Sequence, residues 1–308
     1  MKLIALTLAC LALVAAPRPR QQTVQERLGY PADARLIIIH ADDLGMSHSV
    51  NRATFEALEK GWVTSASILV PCPWFAEVAT WARAHQDADL GIHMAVNSEW
   101  TTFRWAPISG RATVPSLLAA DGYMALDEDA VVARAKPAEI DRELRAQVDF
   151  AKTSGVRITH LDSHMATMFH TKEFFDVYRK IGADYRLPVL LERLGPRGGE
   201  RSAWETGAAS SALVDRVVSI NPGVPPAEWE AAYEKMLAPL PPGVYQLIVH
   251  LGYDDDEMRG ATADHPNWGA AWRQQDLETV KSAKFQAFLK AQRFIPITWS
   301  RLASATRQ

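Results

Sequence analysis

The stretch Leu36-Ile37-Ile38-Ile39-His40-Ala41-Asp42-Asp43-Leu44-Gly45 joins an apolar run to two adjacent carboxylates and a glycine. An unbroken run of this kind suits a strand buried on both faces, as in a parallel sheet. Carboxylates at the C-terminal tip of such a strand stand where α/β folds build their active sites. Asp-Asp-x-Gly is also ordinary turn chemistry, because Asp bonds nearby backbone and Gly accepts positive φ. The segment alone leaves both readings open.

Two later apolar runs end in histidine in the same way: Asp89-Leu90-Gly91-Ile92-His93, and Val156-Arg157-Ile158-Thr159-His160-Leu161-Asp162-Ser163-His164. One histidine at a strand end is most often a satisfied core or surface residue. Three strand ends carrying Asp, His and His are another matter, since parallel barrel strands present these ends on one face. Two imidazoles and a carboxylate form a three-ligand set that leaves positions for water and substrate, as catalytic metal sites do. A further run, Val244-Tyr245-Gln246-Leu247-Ile248-Val249, leads into His250 and adds a fourth titratable group to that face.

The N-terminus, from Met1 and Lys2 to Ala15 and Ala16, has one positive charge, an apolar stretch and then small residues. That is the pattern of a secretory signal peptide, too short for a stable membrane span. Residues 1–16 are assigned to it, with the cut near Pro17 left open and lipidation of Cys10 disfavoured by Thr7. The mature protein is expected to be exported, periplasmic or extracellular. Once Cys10 leaves with the signal, Cys72 has no intramolecular partner, which excludes a disulfide scaffold. A net charge of -3 over 308 residues gives no basic footprint for nucleic acid.

Periodicity predicts a helix over residues 50–60 behind a Ser47 or Ser49 cap, ended by Gly61. A strand at 65–70, a helix at 74–85 and a strand at 90–93 follow. Residues 95–135 carry little periodicity, and a loop of that length in a compact domain is usually functional. Pro137 opens a helix to about Ser154, with Ile140, Leu144, Val148 and Ala151 inward. Beyond it come strand 157–161, helix 172–180, strands 188–191 and 217–220, helix 227–237, strand 244–249, a long helix within 270–292 and strand 294–298. Repeated βα units predict a parallel sheet with right-handed crossovers, and their number a distorted (β/α) barrel of seven or eight parallel strands. The one linker-like stretch is 195–202. Because the alternation resumes beyond it, residues 30–305 are read as one barrel domain with that stretch as a surface loop.

His40-Ala41-Asp42-Asp43-Leu44-Gly45-Met46-Ser47, Gly61-Trp62-Val63-Thr64-Ser65-Ala66-Ser67, Gly91-Ile92-His93, Thr159-His160-Leu161-Asp162-Ser163-His164 and His250-Leu251-Gly252-Tyr253 together resemble the motifs of the YdjC-like carbohydrate deacetylases. The resemblance implies a polysaccharide-deacetylase-like distorted barrel and metal-dependent amide hydrolysis. Residue by residue, it implies Asp43, His93 and His164 as ligands of one divalent ion, Asp42 as catalytic base and His250 as general acid. It points to Mg2+, whereas the ligand types alone favour Zn2+, Co2+ or Mn2+. His40 and Leu44 stand where the family usually has Asn and Phe. Met165-Ala166-Thr167-Met168 replaces a His-rich run, and Leu251 a Pro. None of these departures removes a proposed ligand; they bear on the substrate.

The chemistry implied is attack of an activated water on an acetamide, with Asp42 taking the proton and His250 serving the leaving amine. The expected substrate is an N-acetylated sugar, chitooligosaccharide-like or related. Trp100, Phe103 and Trp105 in the long loop, with Trp268 and Trp272, offer rings for sugar stacking, with core packing as the alternative. Arg186 is read as orienting Asp42 or a substrate oxygen, or as a surface ion pair. His160 and Asp162 are expected to orient the ligand histidines. The acidic run 254–257 reads as a solvated turn. Two other functions stay in view: a non-catalytic sugar-binding protein, disfavoured because binding does not require both Asp42 and Asp43, and a metallohydrolase or amidase of a non-sugar substrate.

Overall fold

Among the described residues nine strands form the framework, and each pairing between them is parallel. The computed structural model describes residues 22–193 and 213–305; the expected signal peptide and the linker-like stretch lie outside the described residues. The strands are β1 (Arg35–Leu44), β2 (Ser65–Ile68), β3 (Leu90–Met94), β4 (Ile158–Ser163), β5 (Leu191–Glu192), β6 (Leu213–Val214), β7 (Arg216–Val218), β8 (Gly243–Val249) and β9 (Phe294–Pro296). The helices are α1 (Val24–Arg27), α2 (His48–Glu59), α3 (Phe75–Ala84), α4 (Glu128–Arg134), α5 (Pro137–Thr153), α6 (Lys172–Tyr185), α7 (Trp229–Leu237), α8 (Asp256–Ala261), α9 (Ala270–Lys281), α10 (Ala283–Ala291) and α11 (Trp299–Ser304). None of the described helices is long and apolar enough to cross a membrane.

The main sheet runs β4-β3-β2-β1-β8-β7. β1 is its hub, because its length lets one edge pair with β8 from Arg35 to Ala41 while the other edge is shared. β9 takes the lower part of that edge, Arg35 to Ile37, and β2 the upper part from His40 onward. Past β4, a bridge from Leu161 to Val189 leads into the β5-β6 pair. The Asp215 N–H then donates to the Val244 carbonyl at 2.6 Å, and β7 pairs β8. Backbone hydrogen bonds thus circle the molecule through these fragments, which makes the fold a distorted (β/α) barrel. The eight expected strands are present, and β6, too short for any periodic signal, is added.

β1 is buried from Leu36 to Leu44, as a strand covered on both faces requires. Period-2 alternation divides it. Ile37, Ile39 and Ala41 join the main core that the helices share, and Leu36 and Ile38 join a smaller cluster with Val244, Ile297 and Trp299. His40 and Asp42 continue the second face upward. α2 starts on the Ser47 cap, whose hydroxyl accepts the Val50 N–H. α5 buries Ile140, Leu144, Val148 and Ala151 as its period predicts.

Two elements differ from expectation. The helix expected within 270–292 is α9 and α10, broken at Ser282, whose hydroxyl caps α10 by accepting from Phe285 N–H. The aperiodic segment 95–135 is an ordered cover that contains two 3-10 turns and α4. Buried polar side chains of α5 hold it: the Glu143 carboxylate accepts from Ile108 N–H, Ser109 N–H and the Ser109 hydroxyl, and the Gln147 amide pairs with both backbone groups of Ala95.

Candidate metal centre and active site

The C-terminal tip of β1 departs from regular pairing where the two carboxylates stand. Ala41 pairs with Ala66, but Leu44 pairs with Ile68, so β1 holds one more residue than β2 across this interval. Such a bulge re-aims side chains. Asp43 absorbs it with φ of 66°, a left-handed conformation that Asp tolerates better than most residues, and Gly45 follows at φ 98°. Two neighbouring carboxylates that a regular strand would point apart therefore both reach the barrel mouth.

Asp43 Oδ1 lies 3.5 Å from His93 Nε2 and 3.7 Å from His164 Nδ1. It is buried and has no hydrogen-bond partner among the described residues. The other atoms of the three side chains are engaged elsewhere. Asp43 Oδ2 accepts from Arg273 Nη2 at 2.7 Å, His93 Nδ1 meets Asp162 Oδ1 at 2.7 Å, and His164 Nε2 meets Glu99 Oε2 at 2.9 Å. Each imidazole thus has one nitrogen fixed by a carboxylate and the other turned toward the orphaned Asp43 oxygen. This is how outer carboxylates set the tautomer and aim of ligand histidines, and the Asp43-His93-His164 grouping could hold a metal ion. The donor set fits one.

The electrostatics favour the charged forms of these groups. Burial raises the Asp43 carboxyl, but Arg273, His250, His164 and His93 together hold it well below the usual carboxylate range. Burial would lower His93, yet Asp162, Asp42 and Asp43 push it up to about 10. Asp162 is likewise held far below its ordinary value against burial, chiefly by His93 and His40.

Asp42 divides its oxygens. Oδ1 is 3.1 Å from His40 Nε2 and accepts from the Ser67 hydroxyl, whereas Oδ2 is 3.9 Å from both His93 Nε2 and His250 Nε2. His250 follows β8, where Asp276 Oδ2 accepts its backbone N–H. Its ring, 17% exposed, packs against Trp272 and Trp268, and desolvation lowers it to about 4.

The structure brings Asp42, Asp43, His93, His164 and His250 together and sets Asp162 behind His93. Other expectations need correction. His160 does not touch His93 or His164 in any described contact; its Nδ1 meets the Thr159 hydroxyl, its ring stacks on Trp299, and desolvation lowers it to about 4. Trp100 and Trp105 are 1% and 2% exposed. With no free face for a sugar, they pack with Met46, Val50 and Met124 under the loop, because Glu143 and Gln147 pull that loop onto the barrel. Arg186 is exposed at the left-handed C-cap of α6. α6 leads back from the site to the start of the next strand, so Arg186 lies at the far end of the barrel. The acidic run is tied down: Asp255 and Glu257 accept from Ser49 and the first amides of α2.

Sequence reading missed Arg273 and Glu99. Arg273 had a signal, since it lies with Trp272, Asp276, Leu277 and Val280 on the buried face of α9, and a cation on an inward stripe calls for a buried partner. Glu99 had none, standing in an aperiodic loop.

Residues 36–291 match the YdjC-like protein family. The chain is 31% identical over 289 residues to a protein of Thermus thermophilus named carbohydrate deacetylase, covering 91% of this chain and 98% of that one. It is 34% identical over 269 residues to one of the same name from Brevibacillus brevis, covering 86% and 99%. Among solved structures, a protein of Enterococcus faecalis named for cellobiose-phosphate cleavage superposes with a TM-score of 0.73 at 21% identity, covering 87% of this chain and 99% of that one. This last likeness concerns the fold. The match across most of the barrel makes the chain a member of the YdjC-like protein family.

Proposed function

We propose that this protein is a secreted, metal-dependent deacetylase of N-acetylated sugars. The observation that carries the reading is a carboxylate oxygen, Asp42 Oδ2, held beside a three-ligand pocket and beside His250. The names of the Thermus and Brevibacillus relatives agree with it. Export rests on the signal-like N-terminus alone.

Asp43, His93 and His164 would hold one divalent ion, which when bound supplies polarisation of an amide carbonyl and acidification of water. Asp42 Oδ2 takes a proton from the attacking water, the general-base role that a fixed carboxylate suits. His250, lowered to about 4, is neutral near pH 7. It therefore serves the leaving amine only after Nε2 has received the proton that Asp42 removed, relayed through one water because the two atoms stand 3.9 Å apart, beyond direct hydrogen-bond reach. Acetate and the free amine are the products. Trp268, 37% exposed and with its ring 6.0 Å from that of His250, offers the sugar a stacking face at the mouth.

The test is acetate release from a panel of N-acetylated mono- and oligosaccharides, with and without chelator. Release that chelator stops and a divalent ion restores is expected. Binding of those sugars without release would favour the non-catalytic reading. Release from simple amides alone would favour a different amidase.

A further inference from the structure

His40 is fully buried two residues before Asp42, on the same face of β1. Its Nε2 lies 3.1 Å from Asp42 Oδ1, 3.0 Å from Asp162 Oδ2 and 3.1 Å from Ser67 Oγ. Ser67 in turn donates to Asp42 Oδ1 at 3.4 Å, and the other Asp162 oxygen meets His93 Nδ1. One ring nitrogen thus stands between the carboxylate read as base and the carboxylate that aims a metal ligand. The ring is fixed from behind by His160, edge to face at 5.1 Å. A free Asp side chain turns easily about its last torsion and exchanges its two oxygens. Here Oδ1 is occupied, and Oδ2 alone faces His93 and His250.

We propose that His40 is a positioning residue, which fixes the oxygen of Asp42 that acts on water and links that choice to the Asp162-His93 pair. The inference rests on the reading of Asp42 as base. Its physical content is that a base already in place needs no reorganisation in the transition state.

Three variants test it: His40→Leu, which removes every polar contact; His40→Gln, which keeps an N–H at similar reach; and Asp42→Asn. With an N-acetylated sugar, His40→Leu should lose about 10²-fold in kcat, the scale of a misplaced catalytic group, with KM and bound metal little changed. His40→Gln should recover part of that loss. In the Asp42→Asn background His40→Leu should cost less than about twofold, because residues that act through one another are not additive. Equal losses in both backgrounds, wild-type kcat in His40→Leu, or a loss that tracks metal content would overturn the proposal. Should His40→Leu not fold, His40→Asn, whose amide is too short to span both carboxylates, takes its place with the same expectations. A readout independent of turnover is the His40 Nε2–H resonance of the metal-free protein, which should shift on Asp42→Asn; no shift overturns the tie. A shift in a protein that releases no acetate from any N-acetylated sugar counts against the deacetylase reading alone, since the tie is then seen directly.

Discussion

Asp42 and Asp43 are adjacent yet have separate surroundings, and single substitutions should separate them. Asp42→Asn keeps shape but cannot accept a proton, so kcat should fall by ~10²–10⁴-fold with metal content unchanged; turnover at the wild-type rate would remove Asp42 from the mechanism. Asp162 acts through His93. Asp162→Asn should weaken metal affinity by ~10–100-fold, the usual cost of losing an outer carboxylate, as calorimetric titration would read. The residues that meet at the barrel mouth were legible because each ends an apolar run, where chain direction fixes the face. Arg273 and Glu99 were harder to see: what they bind lies across the fold, and only Arg273 stands on a periodic stripe.

At the scale of elements, the cover formed by 95–135 depends on two polar side chains of α5. Glu143 is buried, and burial raises its pKa although Gln147, Ser109 and Ile108 hydrogen bonds oppose this. Glu143→Ala would leave the Ile108 and Ser109 amides unsatisfied, and each such loss costs about 1–3 kcal/mol. A lower Tm and faster amide exchange in 95–135 are expected, with exchange in α5 itself little affected. Unchanged exchange would mean that apolar packing alone holds the cover. Trp100 and Trp105 show why this element was misread: an aromatic in an aperiodic stretch carries no sign of whether it faces water, and partners some forty residues away decide it. The bulge in β1 was equally hidden, since it depends on register with β2. Ser282 is a third case, a cap residue inside a run that kept its helical pattern.

At the scale of the molecule, the alternation of strands and helices made the barrel legible, while its closure through β6 did not show, because a strand of two residues has no period. The buried charge beneath the mouth has a global consequence. In the metal-free protein, Asp162 and Asp42 outweigh burial to hold His40 up to about 9, and His93 stands near 10, against an ordinary 6.5. The folded chain then binds more protons than the unfolded one in this range, so the stabilisation is complete below pH 6.5 and is lost as pH rises through 9 and 10. The Tm of chelated protein should fall over that window, and less steeply in His40→Gln. A flat profile would contradict the pairing. Metal binding must displace the His93 proton, so affinity should also rise with pH, by roughly tenfold per unit for one proton released.

The most direct measurement is the metal content of purified wild-type protein beside His93→Ala and His164→Ala. The wild type should hold one equivalent of a divalent ion and both variants should lose it, each still folded by circular dichroism. Equal metal content in all three proteins would contradict this.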